Sequence, residues 1–263
     1  MSSSRFPSLA DFSAEELVFM ADDHDDKAFG ILIENHPAMK ATVDFFEFLS
    51  GENHPYGNMM FGMNVPDPER TIASVTEHLD GTRMPSYWWV GPCTKPENLS
   101  ALLLEKGWTD AGTAPCLVVD LKKLERPNIQ GLELHEVTTA EQLSKWQALF
   151  ARAYEIPIEI ARVLSPVLDG RVRLYTATLD GVEVGTTGLF THLDVPGIYC
   201  VSTLREHRGR GIGAAITATP LLEAREQGYR VGTLQASSMG YPVYKRIGFQ
   251  DVCSLRIFSY NIP

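Results

Sequence analysis

Val201-Ser202-Thr203-Leu204-Arg205-Glu206-His207-Arg208-Gly209-Arg210-Gly211-Ile212-Gly213-Ala214 is the stretch that decides how this chain is read. An apolar strand runs into it and a helix runs out of it, with glycine at 209, 211 and 213. Without a Cβ, the backbone at these positions can lie close to a ligand. The N–H groups then face that ligand from the start of a helix, where the dipole is positive, which makes a pyrophosphate site. Two other readings compete. One is a plain flexible glycine loop. The other is the dinucleotide fingerprint G-x-G-x-x-G/A, which Gly209-x-Gly211-x-x-Ala214 satisfies. Against the fingerprint, the loop follows antiparallel-looking strands, and Arg205-Glu206-His207-Arg208 is not the end of a buried strand. Nor does an acidic residue close a second parallel strand about 20 residues on, where Tyr229 stands.

Working outward, residues 132–137 read as a strand and Thr138-x-x-Glu141 as a capping box opening a helix to about Tyr154. A second helical region spans 157–168, interrupted at Pro166. Strands 171–179 and 182–191 are joined by Asp180-Gly181, a strong hairpin signal. A turn at 194–197 leads to strand 198–204, then a helix over 211–227, strand 230–236, a short helix over 240–247 and strand 252–260. Pro220 inside the longer helix predicts a kink near Ile216–Pro220. The order is β-α-α-β-β-β-α-β-α-β.

The first 130 residues are harder to read. A helix starts after Ser13, a strand spans 59–65, a helix 71–79, a strand 87–90, a helix 99–106 stopped by Gly107, and a strand 116–121. Leu103-x-x-x-Gly107-Trp108-Thr109-Asp110 echoes Tyr244-x-x-x-Gly248-Phe249-Gln250-Asp251 at an offset of 141 residues, about half the chain, which points to duplication. The polar connection 125–131 sets the division into 1–126 and 127–263.

Together these residues resemble the GNAT N-acetyltransferase superfamily. Arg208, Gly211 and Gly213 match the core Q/R-x-x-G-x-G/A of its acetyl-CoA motif, and Tyr244-Lys245-Arg246-Ile247-Gly248-Phe249 is similar to its second motif, Y-x-x-x-G-F. The resemblance implies an α/β (α+β) fold with a mixed, mostly antiparallel sheet and flanking helices, in two tandem GNAT-like halves. Residues 1–126 would be the degenerate half, since Asp67-Pro68-Glu69-Arg70-Thr71-Ile72 stands where the glycines would be, and Leu103 in place of Tyr244. It further implies acetyl-CoA as acyl donor, no metal, and a cofactor site of Val201, Ser202, Thr203, Arg208, Gly209, Arg210, Gly211, Ile212, Gly213, Ala214, Ser237 and Tyr244. A strand N–H near Val201 or Ser202 would hold the oxyanion, and Tyr244 would be the acid for the leaving thiolate. The family often has Asn where Ser237 and Ser238 stand.

No base is carried over by the resemblance. Glu183, His192, Cys200 and Glu206 lie near the central strands, and a water chain is an equal alternative. Trp88, Trp89 and Tyr56 are read either as core or as lining of the acceptor cleft. The acceptor is expected to be a small-molecule amine bound in a ternary complex. A non-catalytic acyl-CoA-binding protein and a protein or peptide N-acetyltransferase stay open.

In 263 residues the formal net charge is −10, which argues against nonspecific nucleic-acid binding. Residues 1–126 hold 10 Lys/Arg and 20 Asp/Glu, whereas 127–263 hold 13 of each. The run Asp22-Asp23-His24-Asp25-Asp26 reads as a solvated loop or helix end, or as an acidic rim drawing a cationic substrate. The cysteines Cys93, Cys116, Cys200 and Cys253 form no metal-type spacing and read as reduced thiols. With no signal-peptide core and no membrane span, a cytoplasmic chain is expected, and a homodimer is an open expectation.

Overall fold

The computed structural model describes residues 6–42, 44–164 and 168–262. In chain order the first half gives α1 (Ala14–Ile33), β1 (Met39–Ala41), β2 (Phe46–Leu49), β3 (Asn58–Phe61), α2 (Pro68–Thr82), β4 (Ser86–Val90), α3 (Leu99–Glu105) and β5 (Thr109–Asp120). The second gives β6 (Leu132–Glu136), α4 (Ala140–Tyr154), α5 (Ile158–Val163), β7 (Val172–Leu179), β8 (Val182–His192), β9 (Val195–Thr203), α6 (Ile212–Glu226), β10 (Val231–Gln235), α7 (Tyr241–Arg246) and β11 (Gln250–Tyr260).

All eleven strands form one sheet in the order β1-β2-β3-β4-β11-β5-β10-β9-β8-β7-β6. Two neighbouring pairs are parallel, β3 with β4 and β9 with β10, and the others are antiparallel. The order is close to symmetric about the β11–β5 contact. Strands β1 to β4 on one side repeat β7 to β10 on the other, and β6 has no counterpart. The last strand of each half is exchanged: β5 pairs with β10, and β11 pairs with β4. Strand β5 can lie at the centre because it is apolar on both faces over Ala114 to Leu121, as a strand covered on both sides must be.

Helices cover both faces. Clusters built from Cys116, Leu174, Phe190 and Trp89 pack beneath α1, α4 and α5. Clusters built from Leu117, Leu234, Trp88 and Phe258 pack beneath α2, α3, α6 and α7. No helix among the described residues is long and apolar enough to cross a membrane.

Local signals explain most element ends. Ser13 and Glu16 form the capping box of α1. The box of α4 is Thr139 with Gln142, one residue later than expected, because Glu141 turns outward to Lys145 at 2.7 Å. Asp180-Gly181 turns with both φ positive, as its hairpin type requires. The next turn lies at Leu193-Asp194, not at 194–197, and Pro196 and Gly197 belong to β9. Helix α6 runs unbroken through Pro220, with the Thr217 and Thr219 hydroxyls donating to the Gly213 and Ala215 carbonyls at 2.8 Å. Pro166 lies outside the described residues. Strands β1 and β2, which are short, and most of α1 went unread in the sequence.

The acidic run corrects an expectation. Asp22, Asp23, His24, Asp25 and Asp26 form neither a solvated end nor a rim: all five are buried in the middle of α1. Asp22 accepts from the Cys93 N–H at 2.8 Å, and Asp23 meets His192 at 2.7 Å. Asp26 Oδ2 is buried without a partner. Burial pushes the Asp22 carboxyl up to about 6, and burial, with Asp22 and Asp25 beside it, holds Asp26 well above the ordinary carboxylate range. The formal charge of the first half therefore overstates its surface charge.

The strand exchange predicts that residues 127–263 expressed alone do not form a monomeric folded domain. They would lack β5 between β10 and β11. Circular dichroism and size-exclusion chromatography check this, and a cooperative, monomeric melt would refute it. Asp26 sets a second expectation. A carboxyl raised in the folded state costs nothing below its unfolded pKa of about 3.9 and destabilises as pH rises through the folded value. Asp26→Asn should therefore melt at least about 2 °C above the parent at pH 8, the effect of roughly 1 kcal/mol in a chain this size. The gap should shrink toward pH 4. Equal melting at both ends of the range would show that Asp26 is satisfied.

Candidate active site

Strands β9 and β10 share only two registered pairs, Gly197 with Thr233 and Ile198 with Leu234. Beyond them β10 stays with β5, where Gln235 faces Cys116, and β9 diverges. On its other side β9 slips register against β8 between Thr186–Ser202 and Gly188–Tyr199. Cys200 takes φ +53° at this bulge. Cys200 and Val201 therefore have no registered strand partner on either side; the Cys200 carbonyl turns to the Thr186 hydroxyl of β8, so the Val201 N–H of the same peptide faces the opening where β9 and β10 part. A bulge re-aims side chains. Here Tyr199 and Cys200 both face α1, α4 and α5, whereas Val201 packs on the α6 side.

Helix α6 begins at the mouth of this opening. Gly211 is its N-cap with φ +80°, and no side chain caps it. The first intrahelical bond runs from the Ala215 N–H to the Gly211 carbonyl at 3.1 Å, so the N–H groups of Ile212, Gly213 and Ala214 point outward, as a helix start leaves them. Gly209 and Gly211 are required by positive φ. Gly213 is not, and a Cβ there would meet nothing nearer than Thr203 Oγ1 at 3.7 Å. Packing gives no reason for glycine at 213, whereas a ligand held against the helix start does. The cradle fits a pyrophosphate.

The other predicted residues fall around it. Arg208 is turned inward, donating to the Thr203 carbonyl at 3.0 Å and to the Ala153 carbonyl at 2.8 Å, so it ties the end of β9 to the end of α4. Arg210 is exposed beside His207. The side chains of Ile212 and Ala214 are buried, which leaves only their N–H groups to the site. Ser202 shares a 2.7 Å hydrogen bond with Thr186, whose hydroxyl lies 2.8 Å from the Cys200 carbonyl. The Ser237 hydroxyl accepts from the Gly240 N–H at 3.1 Å and shapes the turn into α7. Tyr244 is buried on α7, and burial pushes its phenol up to about 12.

The residues weighed as base stand in different surroundings. Glu206 pairs with Arg152, His192 with Asp23, Glu183 is exposed at the start of β8, and burial pushes the Cys200 thiol up to about 12. Trp88 is core, its ring 5.5 Å from Trp108. Trp89 lies on the opposite face against Phe29. Tyr56, on the turn Pro55–Gly57, packs in the same cluster as Ile160 of α5 and Cys200.

Three features were not foreseen. Tyr154, at the end of α4, has its ring centroid 4.5 Å from that of Phe150 and is 41% exposed. Apolar surroundings push its phenol up. The second and third are His24 and Asp25 of α1, which meet Tyr199 of β9. The Tyr199 hydroxyl lies 2.7 Å from His24 Nδ1 and 3.0 Å from Asp25 Oδ1. The Cys116 thiol donates to Asp25 Oδ2 at 3.2 Å, and His24 Nε2 donates to the Val195 carbonyl at 2.9 Å. The sequence did show the acidic run, but not that it folds against β9.

Residues 170–251 match the family model of the acetyltransferase (GNAT) domain. A GCN5-related N-acetyltransferase from Kribbella flavida is 20% identical, with 92% of this chain and 94% of that one covered at a TM-score of 0.65. One from Sphaerobacter thermophilus is 14% identical over 98% and 95%, at 0.55. A tandem GNAT protein from the clavulanic acid biosynthesis pathway is 18% identical over 73% and 69%, at 0.51. At these identities the structures show a shared fold. No curated protein matches the sequence.

Proposed function

With an acetyltransferase (GNAT) domain over residues 170–251 as the premise, we propose that the protein transfers an acetyl group from acetyl-CoA to the amine of a small molecule in a ternary complex. The observation that carries this reading is the uncapped start of α6 with Gly213, at the mouth of the opening between β9 and β10. Acetyl-CoA supplies an activated thioester. The chain supplies its placement and the charge stabilisation.

The N–H groups of Ile212, Gly213 and Ala214 hold the pyrophosphate. The unpaired edge of β9 receives the pantetheine arm as a strand would be received. As the amine attacks, negative charge grows on the thioester oxygen, and the Val201 N–H, freed by the bulge, donates to it. A phenol near 12 does not hand its proton fully to a thiolate whose acid titrates near about 8.5. Tyr244 therefore serves the leaving sulfur as a hydrogen-bond donor. The acceptor enters on the side of α1, α4 and α5, where Tyr154 of the second half and Tyr56 of the first bound the cleft. Two aromatic walls suit an amine carried on a small body. The division at 126/127 is retained in this reading, with the first half walling the cleft. The start of α2 offers Pro68, which lacks an N–H, and the negative Glu69, so it does not suit a phosphate.

Thiol release from acetyl-CoA, measured with putrescine, glucosamine, 2-phenylethylamine and a lysine-containing peptide, should show turnover of a small amine above the acetyl-CoA background. Binding of acetyl-CoA without turnover of any amine would favour an acyl-CoA-binding role, and turnover of the peptide alone a peptide acetyltransferase. Gly213→Val should weaken acetyl-CoA binding at least about tenfold, a cost of about 1.4 kcal/mol, without lowering the melting temperature. Tyr244→Phe should lower kcat roughly 10- to 100-fold, the value of one hydrogen bond to a charged group. An unchanged kcat at saturating acetyl-CoA would remove Tyr244 from the mechanism.

A further inference from the structure

The phenol of Tyr199 has one proton and two neighbours within hydrogen-bond distance, His24 Nδ1 and Asp25 Oδ1. It can serve only one of them, so for both contacts to be hydrogen bonds at once the group left over must carry a proton of its own. His24 Nε2 faces a carbonyl oxygen and therefore holds a hydrogen. Burial lowers His24 to about 4 and raises Asp25 to about 7. Both directions put the extra proton on Asp25, with Tyr199 donating to a neutral His24. When Asp25 ionises, its carboxylate accepts from Tyr199 instead. The three side chains thus hold a proton that exchanges near neutrality, in contact with the strand that lines the opening.

Their position is as telling as their protonation. Asp25 lies over Cys116, level with Gln235, where β9 and β10 part. The bulge puts Tyr199 and Cys200 on the same face of the sheet, that of α1, α4 and α5, with the Tyr199 ring beside Gly197. Ala28, one turn along α1 from Asp25, shares a cluster with both of them.

We propose that Asp25, on a helix of the first half, takes up the proton that the acceptor amine loses in the site of the second half, with Tyr199 as the carrier between them. The inference rests on the N-acetyltransferase reading and supplies the base that it lacks. The nitrogen lone pair forms the C–N bond, and the carbonyl π pair moves to oxygen. The N–H proton passes to the Tyr199 oxygen as the Tyr199 proton passes to Asp25 Oδ1. On collapse the oxygen pair returns, the C–S bond breaks, and sulfur leaves with the pair as a thiolate that accepts a hydrogen bond from Tyr244 and takes its proton from solvent. Asp25 then returns its proton to solvent.

The groups facing Asp25 tune this step. Cys116 of β5, with Cys253 of β11 beside it, donates and favours the ionised form. Asp22 on α1, one turn away, opposes it. Asp26 adds to the same acidic field, and on the far side His24 is held neutral by burial beside His192 of β8.

The test is the pH profile of kcat/KM from pH 5 to 9, using the amine of the panel that the parent enzyme acetylates best. The parent should rise through about pH 7. Asp25→Asn should lose that rise and fall at least about 100-fold at pH 8, the lower range of general-base effects, with acetyl-CoA affinity retained. Tyr199→Phe should do the same, and it decides the matter if Asp25→Asn does not fold. Either variant within about threefold of the parent, with the rise near pH 7 intact, overturns the relay and leaves the transferase standing. If the parent acetylates no amine, both readings fall.

Discussion

Strand β5 hydrogen-bonds to β11 along nearly its whole length, and each is the last strand of its own half. Because each also completes the sheet of the other half, the molecule has no seam along which it could divide. The opening between β9 and β10 follows from this. Gln235 is held by Cys116 of β5 while β9 curves off with β8, so the divergence is fixed by a strand from outside the second half. The same central pair forms the floor on which α1 rests.

Two glycines seat α1 on that floor. A Cβ at Gly91 would lie 1.7 Å from Asp22 Oδ1, and one at Gly197 would lie 2.3 Å from His24 Cε1. One glycine follows β4 of the first half and the other lies in β9 of the second, so the helix is wedged between the halves. Burial of four carboxyls is costly. It is tolerated because Asp23 and Asp25 find His192 and Tyr199 of the second half, and Asp22 accepts from the Cys93 N–H within the first. The contacts of the run join α1 of the first half to β8 and β9 of the second.

The second half was legible because its signals are local. Asp180-Gly181, the glycines at 209 and 211 and the stop at Gly248 each need a positive φ and so mark their turns in the sequence. The short strands β1 and β2 lack such markers, and their residues owe their state to the sheet edge. The acidic run misled for a physical reason. Charge predicts exposure only when nothing compensates burial, and the partners of these residues lie far off in the chain, His24 and Tyr199 being separated by 175 positions. The glycine cradle at the start of α6 could be read from one loop. The packing of Tyr56 with Ile160 and Cys200 could not, because it exists only once both halves are assembled.

The exchange also bears on how the chain acquires its structure. Thr109 and Ser259 meet across 150 residues. During synthesis β5, apolar on both faces in its C-terminal half, is made before both of its neighbours in the sheet, β10 and β11. Contacts this distant slow folding, and unpaired edges invite association while they wait. Residues as far as Tyr260 must leave the ribosome before β4 of the first half gains its partner, so the order of translation and the order of assembly run in opposite directions.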